Sequence, residues 1–213
     1  MAVTVTPDPF RLVPYDTATI RGLAEDAARV VGFPDGVDVT LELDEVLPHP
    51  LTGTFVDAVG DPPRIEMWMS GANFEDPKRP VKFQEELARA ELARAFLRAG
   101  DRLRPEFTGA PADEDLSDRQ RAAWDVWTEG RAARLGIPGT RPDRLRYHYR
   151  LQHGFNDVAD AVFDRLWHAD ALSWADLEAS CDETAAADTR TRPKKTALRK
   201  EQLRAPRPDT TPA

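Results

Sequence analysis

The chain has 213 residues, of which 41% are hydrophobic and 31% are charged, a balance typical of a globular protein. No run of residues approaches the roughly 20 apolar positions that a membrane-spanning helix requires, so no membrane partner is expected. The first residues lack a basic segment followed by an apolar run, and the one cysteine, Cys181, cannot form an internal disulfide. These features together predict a cytoplasmic protein.

The charge is divided unevenly along the chain. The net charge is −8, but residues 181–213 carry eight Lys/Arg and five Asp/Glu, which leaves −11 for residues 1–180. An acidic body repels phosphate backbones, so nucleic acid is not expected to bind there. The basic C-terminal segment is suited to nucleic acid or to an acidic partner, although a solvated tail is the simpler interpretation.

The first third of the chain predicts a helix followed by three strands. Residues 1–14 are punctuated by prolines and are expected to form an extended arm. Behind a capping Asp16 or Thr17, apolar residues recur at helical spacing as far as Gly32. Alternating or β-rich runs then predict three strands, at residues 39–44, 53–59 and 64–69.

The remainder of the chain predicts helices. A long apolar stripe indicates one helix over residues 79–102, and the capping-box pattern at Ser117 opens another that ends at Gly136. Further helices are expected from Pro142, with a break at Gly154, and over residues 174–179. Because strands and helices are segregated, the expected fold class is α+β: a small mixed sheet of about three strands packed with several helices. One domain is expected over residues 1–180, followed by a disordered basic tail over residues 181–213.

The most informative motif is Phe83-Gln84-Glu85-Glu86-Leu87-Ala88-Arg89, within the predicted long helix. It resembles the metal-binding helix of zincin metallopeptidases, whose pattern is His-Glu-x-x-His. In that pattern two imidazoles one helical turn apart hold zinc, and the glutamate between them polarises a water molecule. Glu85 stands in place of the first histidine, Glu86 matches the glutamate, and Arg89 stands in place of the second histidine.

A second motif extends the resemblance to zincins of the gluzincin type, which take a third ligand, a glutamate, from the next helix. Here the next predicted helix carries Trp127-Thr128-Glu129-Gly130-Arg131-Ala132, in which Glu129 matches that ligand. The resemblance covers residues 16–136 and implies a minimal zincin-like architecture. The plainer alternative is an ordinary amphipathic helix, on which Glu85 and Arg89 form a surface ion pair worth a few tenths of a kcal/mol.

The resemblance implies a pseudo-metallopeptidase, because arginine is a permanent cation with no lone pair to offer a metal. No metal and no cofactor are therefore expected, and the function implied is a non-catalytic module that binds a protein or a peptide. If the carboxylates of the former metal site that the resemblance implies remain, their negative charge needs a replacement cation. Arg89 is predicted to supply it by bridging Glu85 on its own helix and Glu129 on the next.

Two other functions stay open at the sequence level. A metalloenzyme with a different ligand set is conceivable, using Glu85, Glu129 and either His148 or His153. Alternatively, the domain has an unrelated fold and is an adaptor that acts through its basic tail. The sequence does not identify the partner or the oligomeric state.

Overall fold

The computed structural model describes residues 2–57, 60–76 and 79–189, and for residues 79–81 it describes the backbone alone. The first half is built on a four-stranded mixed sheet, whose strands are β1 (Ala2–Thr6), β2 (Asp38–Asp44), β3 (Thr52–Asp57) and β4 (Arg64–Ser70). The strand order is β1-β2-β4-β3, in which β1, β2 and β4 are parallel and β3 pairs antiparallel with β4 at one edge. The predicted α+β class is confirmed.

The alternation of apolar and polar residues along β2 determines which face of the sheet is buried. Val39, Leu41 and Leu43 are buried, and they lie in register with Ile65, Met67 and Met69 of β4. Helix α1 (Thr17–Val30), capped by Asp16 as predicted, and helix α2 (Glu85–Leu103) pack on this face. The first hydrophobic core therefore lies between the sheet and these two helices.

Four further helices form a second hydrophobic core. They are α3 (Asp118–Arg134), α4 (Pro142–His153), α5 (Asp157–His168) and α6 (Trp174–Ala187). Their largest buried side chains are aromatic: Trp124, Trp127, Tyr149 and Phe163. The predicted capping box at Ser117, the helix start at Pro142 and the break at Gly154 are all confirmed. In the described part of the chain, no helix is long and apolar enough to cross a membrane.

Two expectations about the elements were wrong and a third was incomplete. The expected extended arm includes strand β1, which gives the sheet four strands instead of about three, and Val3 and Val5 are buried where β1 pairs with β2. The long helix does not start at residue 79, since β6 (Arg79–Phe83) first pairs with β5 (Glu75–Asp76). The last helix does not end near residue 179 but continues to Ala187.

That longer last helix moves the expected boundary of the tail. Cys181, the position where the tail was expected to begin, is buried inside α6, and Thr184 is also buried. Burial raises the pKa of the Cys181 thiol to about 12, which makes it a poor nucleophile at neutral pH. The predicted disorder of the tail beyond Thr189 lies outside the described residues.

Candidate functional site

Helix α2 carries the sequence Glu-Leu-Ala-Arg twice, at residues 86–89 and again at residues 91–94. The first copy lies in the opening turns of the helix, where Glu85, Glu86 and Arg89 are exposed. Arg89 donates a hydrogen bond to Glu85 Oε1 at 2.8 Å, and its Nη1 lies 3.5 Å from Asp26 Oδ2 of α1. The side chain of Arg89 is 45% exposed, so this is a surface ion pair.

The predicted bridge from Arg89 to Glu129 does not form. Arg89 extends towards α1, whereas Glu129 lies on α3 and takes its ion-pair partner from a different residue of α2. The predicted bridge is therefore wrong, while the assignment of Glu85, Glu86, Arg89 and Glu129 as degenerate ligand positions stays a prediction. Glu85 and Glu86 are not brought together with Glu129.

The second copy of the repeat does meet Glu129. Arg94 Nε donates to Glu129 Oε1 at 2.8 Å, and Arg94 Nη2 donates to Glu129 Oε2 at 3.3 Å, which is a two-pronged pair between α2 and α3. Arg94 Nη1 also donates to Glu91 Oε1, one turn earlier on α2, at 3.3 Å. The side chain of Arg94 is only 13% exposed. The result is a carboxylate–guanidinium–carboxylate cluster, which we call the Arg94 bridge.

The segment between α3 and α4 closes over the Arg94 bridge. Arg94 Nη2 donates a hydrogen bond to the carbonyl oxygen of Pro138. A Cβ atom on the next residue, Gly139, would lie 2.3 Å from Glu129 Oε2 and 2.5 Å from Arg94 Nη2. A side chain at position 139 would therefore displace the ends of Glu129 and Arg94 from their present positions, whereas glycine leaves the ion pair undisturbed. The backbone of Pro138 and Gly139 thus covers the bridge.

Electrostatics make Glu91 the unusual carboxylate of the group. Burial raises the pKa of Glu91 above its usual range, and the charges of Glu129 and Asp125 raise it further. The Arg94 guanidinium acts in the opposite direction but does not cancel these effects. Glu91 nevertheless faces the Arg94 guanidinium, with Nη1 at 3.3 Å from its Oε1.

A second ion pair, between Asp101 and Arg131, also joins α2 to α3. Asp101 of α2 is buried and accepts hydrogen bonds from Arg131 at 2.6 and 2.7 Å and from the Trp124 indole at 2.8 Å. The Arg131 guanidinium also stacks 3.6 Å from the Trp127 ring centroid. Because every acceptor oxygen of Asp101 is engaged, this cluster holds α2 against α3 and fixes the position of the Arg94 bridge.

The histidines do not supply a metal site. His148 is exposed, whereas His153 is buried and both of its ring nitrogens are engaged. Nδ1 lies 2.6 Å from the Thr184 hydroxyl and Nε2 lies 3.0 Å from the Arg119 carbonyl oxygen. The alternative ligand set of Glu85, Glu129 and one histidine is therefore not assembled. Among the described residues, no group of three or more His, Cys, Asp or Glu side chains is placed to hold a metal ion.

The sequence contained one signal for the pair between Arg94 and Glu129, namely the repeat itself. Residues 90–94, Ala-Glu-Leu-Ala-Arg, have the same spacing as residues 85–89, Glu-Glu-Leu-Ala-Arg. Once α2 is known to begin at Glu85, the second copy lies in the middle of the helix and the first lies at its solvent-exposed start. Comparison with known proteins gives no further guidance, because no protein-family model, curated protein or solved structure matches this chain.

Proposed function

We propose that this chain is a non-catalytic protein-interaction module on a degenerate zinc-peptidase scaffold, with the guanidinium of Arg94 in the place of the metal. The observation that carries the proposal is the Arg94 bridge, in which one half-buried cation lies between Glu91 and Glu129. The helix carrying the motif also packs on a mixed sheet and faces the helix carrying Glu129, as a minimal zincin requires.

The ligand pattern fits best when it is moved five residues along α2. A His-Glu-x-x-His pattern laid over residues 90–94 places Ala90 and Arg94 at the two histidine positions and Glu91 at the glutamate position. Glu129 then takes the position of the third ligand. This register differs from the one expected from the sequence, and it gathers three of the four positions in one cluster.

The residues present do not fit a metal ion. Ala90 has no ligand atom, and Arg94 is a permanent cation with no lone pair. Glu129 could serve as a ligand, but both of its carboxylate oxygens accept hydrogen bonds from Arg94. No hydrolytic step is therefore expected at this site, and Pro138 and Gly139 would also obstruct a substrate there.

The proposed interaction function rests on exposed side chains of the four C-terminal helices. Tyr147 and Phe155 are large aromatic side chains that lie more than half exposed. Exposed apolar surface of this kind is typical of sites that contact another protein. A contact through residues 190–213 remains a separate hypothesis, because those residues lie outside the described part of the chain.

Elemental analysis tests the non-catalytic half of the proposal. Protein purified without chelator should contain less than about 0.1 zinc per chain, because no complete ligand set is present. It should also fail to hydrolyse an unfolded protein substrate when zinc is added. One zinc per chain that is lost on Glu129→Gln, or hydrolysis that is lost on Glu91→Gln, would overturn the proposal.

A further inference from the structure

Two large aromatic side chains, Tyr147 of α4 and Phe155 in the turn between α4 and α5, lie side by side on the protein surface. Tyr147 is 53% exposed and Phe155 is 54% exposed. Their rings are in edge contact, with the centroids 5.9 Å apart and the planes inclined by 66°. We call these two side chains the ring pair. Single exposed apolar residues need no explanation, but two aromatic rings in contact offer another segment a shared apolar surface.

The end of α6 is fastened to the residues on both sides of Phe155. The side-chain amide of Asn156 donates a hydrogen bond to the carbonyl oxygen of Ala187, the last residue of α6, at 3.4 Å. The carboxyl carbon of Asp188 lies 3.6 Å from the position that a Cβ atom on Gly154 would occupy. The chain therefore leaves α6 beside the two residues that flank Phe155.

The position at which the chain leaves α6 is fixed, and the ring pair is within reach of the segment that follows. Asp188 pairs with Arg119 of α3, with Nη2 at 2.5 Å from Oδ2. The chain continues through residues 190–213, which lie outside the described residues. Four extended residues span at most about 14 Å. Residues 190–193 are therefore long enough to cross the ring pair.

The composition of the C-terminal segment suits an aromatic surface on an acidic body. Residues 190–213 carry eight Lys/Arg and two Asp/Glu, a net charge of +6, which leaves −14 for residues 1–189. The segment begins with Arg190, Thr191, Arg192 and Pro193. Guanidinium groups stack on the faces of aromatic rings, and proline is bound by aromatic-lined grooves in several classes of peptide-binding domain. The residues next to the ring pair are thus of the types that aromatic rings bind.

We propose that residues 190–193 fold back over the ring pair, so that the chain covers its own contact surface. The contact is intramolecular, and a short tether gives an effective concentration of the order of 1 mM, so a Kd of about 1 mM already covers the rings in half of the molecules. This inference adds regulation to the interaction function proposed above and rests on it, because another protein must displace the segment to reach Tyr147 and Phe155.

Hydroxyl-radical footprinting of the purified full chain tests the proposal, because the oxidation rate of a side chain follows its exposure to solvent. The test variant is the triple substitution Arg190→Ser, Arg192→Ser and Pro193→Ser. It leaves the ring pair itself unchanged and removes only the side chains that are proposed to cover it. Both rings should oxidise at least about twofold faster in this variant than in the wild type, since the segment covers them in at least half of the wild-type molecules.

A second triple variant is the matched control: Arg204→Ser, Arg207→Ser and Pro208→Ser. It removes the same two charges and one proline, but from a later part of the same segment. The ring pair should oxidise in it at the wild-type rate. Phe55, which is 63% exposed on strand β3, serves as the internal reference and should oxidise equally in all three chains. Circular dichroism confirms that each variant is folded.

Three results would overturn the proposal. Equal oxidation of the ring pair in the wild type and in the first variant means that residues 190–193 do not cover it. Equal loss of protection in both variants assigns the effect to the overall charge of the segment. Protection that fades when the wild type is diluted assigns the covering to a second copy of the chain. No partner protein is present in these measurements, so each of these failures leaves the proposed interaction function untouched.

Discussion

Arg89 and Arg94 are five residues apart on α2, so the geometry of an α-helix turns their side chains about 140° away from each other. Arg89 therefore lies beside Asp26 of α1, while Arg94 lies beside Glu129 of α3. The same residue type in the same local sequence thus has two roles. Only at Arg94 is the guanidinium enclosed by two carboxylates and a covering backbone.

Alanine substitutions at the two arginines should separate these roles. Arg94→Ala should lower the free energy of unfolding by about 2 to 4 kcal/mol, because it leaves Glu129 partly buried without its cation and the Pro138 carbonyl without its donor. Arg89→Ala should change it by less than about 0.5 kcal/mol, since an exposed ion pair contributes little. Urea unfolding at pH 7 measures both variants. Equal effects would remove the distinction between the two copies of the repeat.

The residue types of the candidate site could be predicted from the sequence, but their partners could not. Glu129 was expected to meet Arg89 of α2, and it meets Arg94 of the same helix instead. The choice between Arg89 and Arg94 depends on where α2 begins and on which face meets α3, and both are set by tertiary packing. Local periodicity is nearly the same for the two copies, so it could not decide between them.

At the scale of elements, the loop between α2 and α3 is held by one carboxylate, Asp113. Its Oδ2 accepts a hydrogen bond from the Thr54 backbone N–H of edge strand β3 at 2.8 Å, and its Oδ1 pairs with Arg102 of α2. Burial alone would raise the pKa of Asp113, but Arg98 and Arg102 outweigh burial and hold the pKa below its usual range. The loop is thereby fixed to the sheet and to a helix at the same point.

Removing the charge of Asp113 should have an effect that depends on pH. A carboxylate whose pKa is lowered by folding stabilises the fold above its unfolded pKa, and this contribution is lost as the pH falls through the folded pKa. Asp113→Asn should therefore lower the free energy of unfolding by about 1 to 3 kcal/mol at pH 7, and the deficit should shrink below about pH 4.

Urea unfolding of wild type and variant at several pH values measures that deficit. Asp170→Asn is the matched control, because its side chain is almost fully exposed and pairs only loosely with Arg134. It should show little effect at any pH. A deficit for Asp113→Asn that stays constant down to pH 3 would mean that the charge of Asp113 is not what fixes the loop.

The elements that were predicted well are those whose pattern is local. Helix α1, strand β2 and the capped helix α3 follow from periodicity and capping residues next to each other in the sequence. Strand β1 and the last turns of α6 depend instead on distant partners. Val3 and Val5 are buried because β1 pairs with β2 and packs against α1, and Thr184 of α6 lies against His153 of α4.

At the scale of the whole molecule, two hydrophobic cores meet along α2 and α3. The sheet side contributes the apolar face of α2, and the helical side contributes Trp124 and Trp127 of α3. Charged groups join the two halves: Asp101 with Arg131, and Arg94 with Glu129. In a zinc peptidase, a metal ion would join two such helices. On the proposed zincin-like scaffold, the ion pair between Arg94 and Glu129 takes the structural role of that metal.

Restoring the metal ligands tests this central claim most directly. The double variant Ala90→His with Arg94→His should bind about one zinc per chain, because Glu129 already meets residue 94 and would supply the third ligand on the proposed scaffold. The matched control, Glu85→His with Arg89→His, has the same local sequence but faces α1 and should bind none. Isothermal titration with zinc measures both, and circular dichroism confirms that both are folded. A folded Ala90/Arg94 variant that binds no zinc, or a control that binds equally well, would contradict the account.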